Sequence, residues 1–380
     1  MKPTKKTIIV LIVALLAMSS PILASQLASV SKSFQVGTGG KLVVDVSSGD
    51  LDITTGAGNV QIDVVGMSQS ELPDLDIHQS GSTVYITYKN RGRQGRNIRF
   101  ELNIPTDFNL DLATAGGDIK INGLLNGAIT GHTSGGDISF HDVNGQVDLR
   151  TSGGDIQGGA VQGSVDLTTS GGDIELEAAN GEVVVKTSGG DIKVGNVGQR
   201  LEAKTAGGDI ELGNVGGAAE VKTAGGDIVV GSVDGSADLA TAGGDIDLKG
   251  ASGAVDAKTA GGDLELKSVS GPIQARTAGG EIDAELTAVS GSSSLKTAGG
   301  DIQLHLPAGA GATIHALIKI SGNWERESTE YGIYCDLQPV SPVRDAQAEE
   351  IRADIALGGG GPDIYLETVN GNIRISGLNK

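Results

Sequence analysis

Residues 205–223 read TAGGDIELGNVGGAAEVKT, and this stretch predicts the fold of the chain. Its apolar residues form two alternating runs, Ile210-x-Leu212 and Ala219-x-Val221, which start nine residues apart. Alternation with a period of two is typical of a strand that buries one face. We therefore expect two short strands in each unit, with glycines at the corners. Paired glycines can adopt positive φ at no steric cost, and a tight corner is expected to require it.

The sequence T-[AS]-G-G-[DE]-[IL] occurs 11 times, at intervals of 19, then 18 eight times, then 20. A fixed period indicates a repeat architecture, whose units bury their apolar faces by stacking. A half-period of nine extends the pattern, from Leu42 to Val60 and from Ile355 to Ile373. The predicted fold class is all-β, a parallel β-solenoid (β-helix) with 18-residue coils and two short strands per coil. The repeat begins at Thr114, Thr133, Thr151, Thr169, Thr187, Thr205, Thr223, Thr241, Thr259, Thr277 and Thr297.

Residues 1–24 have the pattern of a secretory signal peptide. Lys2, Lys5 and Lys6 precede an apolar run at 8–18, and Ala24 offers a small residue for cleavage. The run is too short to span a bilayer, which needs roughly 20 residues. We therefore expect an exported protein, periplasmic, cell-surface or secreted, with no transmembrane segment after cleavage.

Three further regions are predicted downstream. Residues 25–112 begin the solenoid and include a hairpin-like excursion at 66–106. Residues 113–305 form the regular solenoid, and residues 306–380 form C-terminal coils with an aromatic and polar insertion at 322–352. The two interruptions are expected to shield the ends of the stack, because open β-edges invite unwanted pairing.

The charge and the cysteine content exclude some classes of partner and of stabilising bond. The formal net charge is −19, and removal of the three signal-peptide lysines makes it about −22. An acidic protein does not attract nucleic acid through its general field, so no nucleic-acid partner is expected. Cys335 is the single cysteine, which rules out an intramolecular disulfide. An exported chain without disulfides needs another source of stability.

Several segments together resemble a known family. These are Ser48-Gly49-Asp50-Leu51, Phe100–Pro105, the repeated Thr-x-Gly-Gly-Asp-Ile units and Asn370-Gly371-Asn372-Ile373. They look like the bacterial putative-adhesin β-strand-repeat family, a domain of unknown function similar to the head-GIN putative autotransporter adhesin domains. The resemblance covers nearly the whole mature chain. It implies a β-solenoid in exported or envelope-associated proteins, and it brings no catalytic residues.

A rank of acidic residues follows the paired glycines. Its members are expected to cap their Gly-Gly corners by accepting backbone N–H bonds. The alternative is a row of calcium sites, although the nonapeptide calcium signature G-G-x-G-x-D is not met. No cofactor is expected, and calcium stays open as a structural ion. The rank consists of Asp118, Asp137, Asp155, Asp173, Asp191, Asp209, Asp227, Asp245, Asp263, Glu281 and Asp301.

Two other ranks precede the threonines. One is often basic, as at Lys204 and Lys222, and the other is often acidic, as at Glu202 and Glu220. Both are expected on one solvated face, where neighbouring opposite charges offset like-charge repulsion. Some parallel β-helices cleave polysaccharides, and a carboxylate pair could serve that chemistry. A catalytic site should depart locally from the repeat, however, so we expect no enzyme, and no catalytic, cofactor or metal residues are assigned. The histidines are scattered: His78, His132, His141, His305 and His315.

Two segments are candidate contacts with a partner. The basic loop with Arg91, Arg93 and Arg96 could bind an anionic polymer, although a solvated turn is the favoured interpretation. The aromatic cluster from Trp324 to Tyr334 is the stronger candidate, because amphipathic aromatic side chains favour interfaces. An aromatic cap packed on the last coils is the alternative. The expected function is a non-enzymatic, adhesin-like envelope or surface scaffold that binds a cell-surface protein or a glycan through an extended face.

Overall fold

The computed structural model describes residues 27–89, 98–322 and 324–378. The chain divides into two compact units. Unit 1 runs to Gly181 and includes Val185–Thr187, and unit 2 holds Glu182–Val184 and runs from Ser188 onward. The predicted signal peptide and the predicted arginine loop lie outside the described residues.

Unit 1 is built from short strands and one 3-10 helix at Leu72–Asp74. Its strands are β1 (Leu27–Phe34), β2 (Gly40–Val46), β3 (Asp50–Thr55), β4 (Val60–Ser68), β5 (Leu75–Ser80), β6 (Thr83–Tyr88), β7 (Arg99–Ile104), β8 (Phe108–Ala113), β9 (Ile119–Asn122), β10 (Ile129–His132), β11 (Ile138–Phe140), β12 (Val147–Arg150), β13 (Ile156–Val161), β14 (Val165–Thr168) and β15 (Ile174–Ala179). Strand β16 (Val183–Lys186) has residues in both units.

Unit 2 continues the same pattern and adds a short helix, α1 (Trp324–Glu330). Its strands are β17 (Ile192–Val197), β18 (Leu201–Lys204), β19 (Ile210–Leu212), β20 (Ala219–Lys222), β21 (Ile228–Val233), β22 (Ala237–Ala240), β23 (Ile246–Ala251), β24 (Val255–Lys258), β25 (Leu264–Val269), β26 (Ile273–Arg276), β27 (Ile282–Leu286), β28 (Ser293–Lys296), β29 (Ile302–Leu306), β30 (Ala312–Lys319), β31 (Ile333–Cys335), β32 (Val343–Asp345), β33 (Glu350–Leu357), β34 (Asp363–Val369) and β35 (Ile373–Gly377).

Each regular coil gives one strand to each of two sheets, called sheet A and sheet B in both units. In unit 1, β10 lies in sheet B and β11 in sheet A, and both pair in parallel with the coils on either side. The register is strict, because Ile138 lies opposite Ile119 on one side and Ile156 on the other. The same holds in unit 2, where Ile210 lies between Ile192 and Ile228. The predicted parallel β-solenoid with two short strands per coil is confirmed.

The core of a coil consists of the apolar residues that the repeat predicts. Ile210, Leu212, Val215, Ala219 and Val221 are all buried. Val215 adds a third column that the alternation did not predict, since it forms single parallel bridges to the valines one coil away on either side. Burial of each Val, Leu or Ile side chain contributes about 1.5–3 kcal/mol. A coil gains this stabilisation only when the coils above and below it cover its apolar side chains.

Close stacking explains the second glycine of each pair, and the predicted positive φ is wrong. None of the glycines in the eleven corners has φ in the left-handed region. The second glycine is required for another reason: a Cβ on Gly154 would lie 2.1 Å from the carbonyl oxygen of Gly136, one coil below. The first glycine has more room, because a Cβ on Gly153 would lie 3.6 Å from the nearest atom, the Gly135 oxygen. The restriction therefore comes from the neighbouring coil.

The first coil of unit 1 is not at the end of its stack. Strands β2 and β3 pair with β8 and β9 on one side and with β6 and β7 on the other, all in parallel. Within the segment predicted as an excursion, β5 and β6 form an antiparallel hairpin, and β4 pairs antiparallel with β7 and β1. The outermost strands of unit 1 on this side are thus antiparallel, β1 in sheet A and β5 in sheet B.

The last coil of unit 2 in the sequence also lies between two other coils. Strands β34 and β35 pair in parallel with β28 and β29 on one side. On their other side they pair in parallel with β30 and β31, which come earlier in the sequence. Antiparallel strand β33 pairs with β30, and β32 pairs with β33. The insertion predicted at 322–352 supplies α1, β31, β32 and the start of β33.

Candidate functional site

The repeated threonines are buried structural residues. Thr223 Oγ1 donates to the Gly208 carbonyl oxygen of the preceding coil at 2.9 Å, and it accepts the N–H of Gly226 in its own corner at 3.4 Å. All eleven threonines are at most 9% exposed. The rank therefore satisfies buried backbone groups and offers no surface for a ligand.

The aspartate rank binds backbone, but across coils. Asp227 Oδ1 accepts the N–H of Asp245, one coil further along, at 2.8 Å. Asp209 and Asp227 make the same contact, also at 2.8 Å. The expected capping of the residue's own corner is replaced by capping of the next one. Within residues 27–89, 98–322 and 324–378, no group of three or more His, Cys, Asp or Glu side chains is arranged to hold a metal ion.

The outer face of sheet B in unit 2 carries the predicted acidic and basic rows. Lys204 lies 2.9 Å from Glu202 on its own strand and 2.8 Å from Glu220 on the next. Lys222 repeats this with Glu220 and Asp238, both at 3.0 Å. Each lysine thus joins two coils. Hydrogen bonds from Lys204 and Lys222 hold the pKa of the Glu220 carboxyl below its ordinary value.

A groove lies at the β33 end of this face, where sequence reasoning predicted no site. Its lining comes from β28, β34, β30 and β33, and its volume is about 450 Å³. The His315 ring stacks on the Tyr365 ring, with centroids 5.0 Å apart. His315 Nδ1 lies 2.7 Å from Asp354, and Nε2 lies 3.3 Å from Asp363. The hydrogen bond to Asp354 is the main cause of the raised pKa of His315.

The groove residues are far apart in the chain. His315 and Tyr365 are register partners on β30 and β34, and Asp354 lies opposite His315 on antiparallel β33. The sequence signal is weak: each of these residues occupies an outward position of an alternating strand. The pairing of β30 with β34 on one side and with β33 on the other brings them together.

Sheet A of unit 2 holds a different polar chain. Ser376 Oγ lies 2.8 Å from His305 Nδ1, and His305 Nε2 lies 3.1 Å from Asp283. Lys267 lies 2.6 Å from the same aspartate. Nucleophilic catalysis would also need N–H donors aimed at a developing oxyanion. Strand β29 pairs on both sides, with β27 and β35, so its backbone N–H groups are used in the sheet. We assign this chain of contacts no catalytic role.

The predicted aromatic cluster lies at the end of sheet A. Tyr334 is on β31, 48% exposed, and the Arg374 guanidinium lies 5.8 Å from its ring centroid. Trp324 begins α1 and is half-buried. Arg344 donates to the backbone carbonyls of Ser328 and Tyr331, so the segment is tied to itself. The cluster therefore combines a capping segment with one exposed tyrosine.

The histidines do not converge into one site. His78 on β5 stacks on Tyr85 at 5.1 Å and lies 2.9 Å from Asp76. The stacked His78–Tyr85 pair in unit 1 thus resembles the stacked His315–Tyr365 pair in unit 2. His132 lies on β10, and His141 directly follows β11 in the opposite sheet.

Family comparison agrees with this repeat architecture. The family model described as Toastrack DUF4097 matches residues 40–232, 163–254 and 199–328, which together cover most of the chain. The chain belongs to the Toastrack DUF4097 family. The suspected relationship to a β-strand-repeat family of unknown function is confirmed.

Solved structures similar to this Toastrack chain are of low sequence identity. A putative adhesin from Parabacteroides merdae is 15% identical, with 64% of this chain and 95% of that chain covered and a TM-score of 0.32. A putative adhesin from Parabacteroides distasonis is 14% identical, with 74% and 94% covered and a TM-score of 0.31. A putative lipid binding protein from the same organism is 12% identical, with 92% and 97% covered and a TM-score of 0.22. No curated protein matches the chain.

In the part of the Toastrack chain that the structure describes, no helix has the length and apolar character needed to cross a bilayer.

Proposed function

We propose that this Toastrack protein is an exported, non-enzymatic scaffold of the cell envelope or surface, which binds a partner in an adhesin-like way. The observation that carries the proposal is the outer face of sheet B in unit 2. Its strands run β18, β20, β22, β24, β26, β28, β34, β30, β33 and β32. At roughly 4.8 Å per strand, the face is about 43 Å long.

The chemistry of this face favours binding over catalysis. Its side chains form rows, because equivalent positions of successive strands lie in register. One row runs through Glu202, Glu220, Asp238, Asp256, Gln274, Ser294 and Tyr365. Weak contacts of this kind gain strength by number, because several linked contacts form together. A catalytic centre would instead need a local group of activated side chains in a site that excludes water.

Export is supported by the sequence of residues 1–24, whose basic start and short apolar run fit a signal peptide. Stability outside the cytoplasm does not depend on disulfides here, since Cys335 is the single cysteine. Stacked coils and buried backbone hydrogen bonds take that role.

The test has two parts. Cell fractionation with N-terminal sequencing should find a chain shortened by about 24 residues, as the signal pattern predicts, outside the cytoplasm. Labelled, purified mature chain should bind intact cells or isolated envelopes saturably. A full-length cytoplasmic chain, or the absence of saturable binding, would contradict the proposal. So would turnover of acidic polysaccharides that is lost on mutation of a local cluster.

A further inference from the structure

We propose that the groove at the β33 end of sheet B binds an uncharged polysaccharide segment. This rests on the proposed function, because it names the partner class for the same face. The groove is defined by Lys296, Leu317, Arg352, Tyr365, Glu367 and the His315–Asp354 pair.

The floor of the groove presents an aromatic ring beside an aliphatic side chain. Tyr365 is 46% exposed although its ring stacks on His315, so the stack fixes the ring without covering it. Leu317 is half-buried on the neighbouring strand, facing the same side of the sheet. Pyranose rings have an apolar C–H face that packs on such a platform. A rigid aromatic ring supplies contact area with little loss of conformational entropy.

The rim is charged, but its charges are paired within the protein. Glu367 accepts hydrogen bonds from Lys296 at 2.9 Å and from Lys319. Arg352 forms an ion pair with Glu350. An ionic ligand would have to compete with these pairs, and it would meet charges of both signs. A hydroxyl group both donates and accepts, so it can join a paired carboxylate and ammonium without breaking their contact.

A second depression of about 300 Å³ lies on the same face across β22, β24 and β26. It is lined by small residues such as Ala254 and Ser292, with Asp238, Asp256 and Gln274 as polar groups. Ser294 of β28 lies next to Tyr365 in register. From β22 to β33 the distance is roughly 29 Å at 4.8 Å per strand, which suits a chain of several sugars.

The test uses calorimetric titration of the mature chain with neutral oligosaccharides: hexamers of β-1,4-glucose, α-1,4-glucose and N-acetylglucosamine, with the dimers of each. We expect at least one hexamer to bind, and its dimer to bind more weakly. Y365A should weaken binding by roughly tenfold or more, as expected for an aromatic anchor. Y365F should bind within about twofold of the wild type, because it keeps the ring.

Y85A is the matched control. It removes the tyrosine of the other His–Tyr stack, in unit 1, and should leave the affinity unchanged. Thermal melting of each variant establishes that it is folded.

Failure of the inference is distinct from failure of the proposed function. If the protein binds envelopes but none of the neutral hexamers, the inference is wrong and the proposed function stands. Binding that Y365A and Y85A reduce equally would also overturn it. Binding to polygalacturonate or to a basic peptide alone would assign the face to an ionic partner and reject this one.

Discussion

The regular coils and the coils at the ends of each stack follow different rules. A regular corner carries a buried threonine, a glycine that admits the coil below and an aspartate that caps the next corner. The corner of β2 and β3 keeps part of this pattern, with Ser47 and Ser48 instead of a threonine. Its Gly49 oxygen accepts from Thr114 Oγ1 of the next coil at 3.0 Å, and its Asp50 Oδ1 accepts the Asp118 N–H at 3.2 Å. The coil of β34 and β35 keeps the threonine and the glycine but has Asn372 in place of the aspartate, and its Thr368 Oγ1 donates to the Gly300 oxygen at 2.6 Å.

The sequences that connect the two strands of the outermost coils lack the T-x-G-G-[DE] motif. The coil of β6 and β7 buries large side chains instead, Tyr88 and Phe100. The coil of β30 and β31 ends in Gly332, whose N–H is capped by Asn372 Oδ1 at 3.1 Å. The corner motif therefore marks a coil with a neighbour on both sides. It does not mark the order in which the coils occur along the chain.

The largest expected change in the free energy of unfolding comes from one of the two glycines of a regular corner, and the other glycine is its control. G154A places a Cβ against the Gly136 carbonyl, so the coils must move apart, at a cost of about 3 kcal/mol. G153A has room and should change the free energy of unfolding by less than about 0.5 kcal/mol. Urea titration followed by circular dichroism measures both. Equal effects would show that the close approach does not restrict the corner.

The next effect concerns the threonine hydroxyl. T223V keeps the shape but leaves the buried Gly208 carbonyl without its donor, and should destabilise by about 1–3 kcal/mol. T313V is the control from an end coil, because the Thr313 hydroxyl bonds the Gly361 oxygen at 3.3 Å in an exposed position. We expect a loss below about 0.5 kcal/mol there. Thermal melting in parallel distinguishes the two, and a larger loss for T313V would reverse the comparison.

Substitutions in the aspartate rank are expected to reduce stability less than the glycine and threonine substitutions do. Comparing the Ala and Asn variants distinguishes backbone capping from calcium binding. D227A removes the acceptor for the Asp245 N–H and should cost about 1 kcal/mol. D227N keeps an acceptor oxygen and removes like-charge repulsion, so it should be neutral or slightly stabilising. Melting temperatures with calcium and with chelator should agree. A fall in the melting temperature with chelator, together with a D227N as unstable as D227A, would favour structural calcium.

The smallest effect depends on pH. The pKa of Glu220 is lowered by Lys204 and Lys222, and that of Glu367 by Lys319 and Lys296. A carboxyl with a lowered pKa stabilises the fold above its ordinary pKa near 4.5, and this contribution is lost as the pH falls through the lowered value. E220Q and E367Q should therefore be less stable than wild type at pH 6, by at most about 1 kcal/mol.

The difference in the free energy of unfolding between each variant and the wild type should shrink toward pH 3. It should also shrink in high salt, because salt screens the ion pairs. Chemical denaturation at both pH values measures it. A difference that grows on acidification would contradict the sign of the shift.

Much of the fold could be predicted because the repeat is regular. Fixed spacing and alternation locate Ile210, Leu212 and Thr223 inside the coil without any structure. The reason for the glycines could not be found in this way, since the obstacle is the backbone of another coil. The placement of β34 and β35 was also hidden, because strands 71 residues apart satisfy the same corner rules as strands 18 apart. The groove depends on that placement, and so no pattern in the sequence indicated it.

Disulfide trapping tests most directly whether the last coil lies between the regular coils and the coil of β30 and β31. In a C335S background, cysteines replace Gln303 and Arg374, which face each other across β29 and β35. We expect rapid disulfide formation, because adjacent strands bring Cα atoms within bonding range. Cysteines at Gln303 and Tyr334 should not form one, since those strands lie about 9.6 Å apart with β35 between them. Efficient cross-linking of the second pair, without the first, would contradict the account.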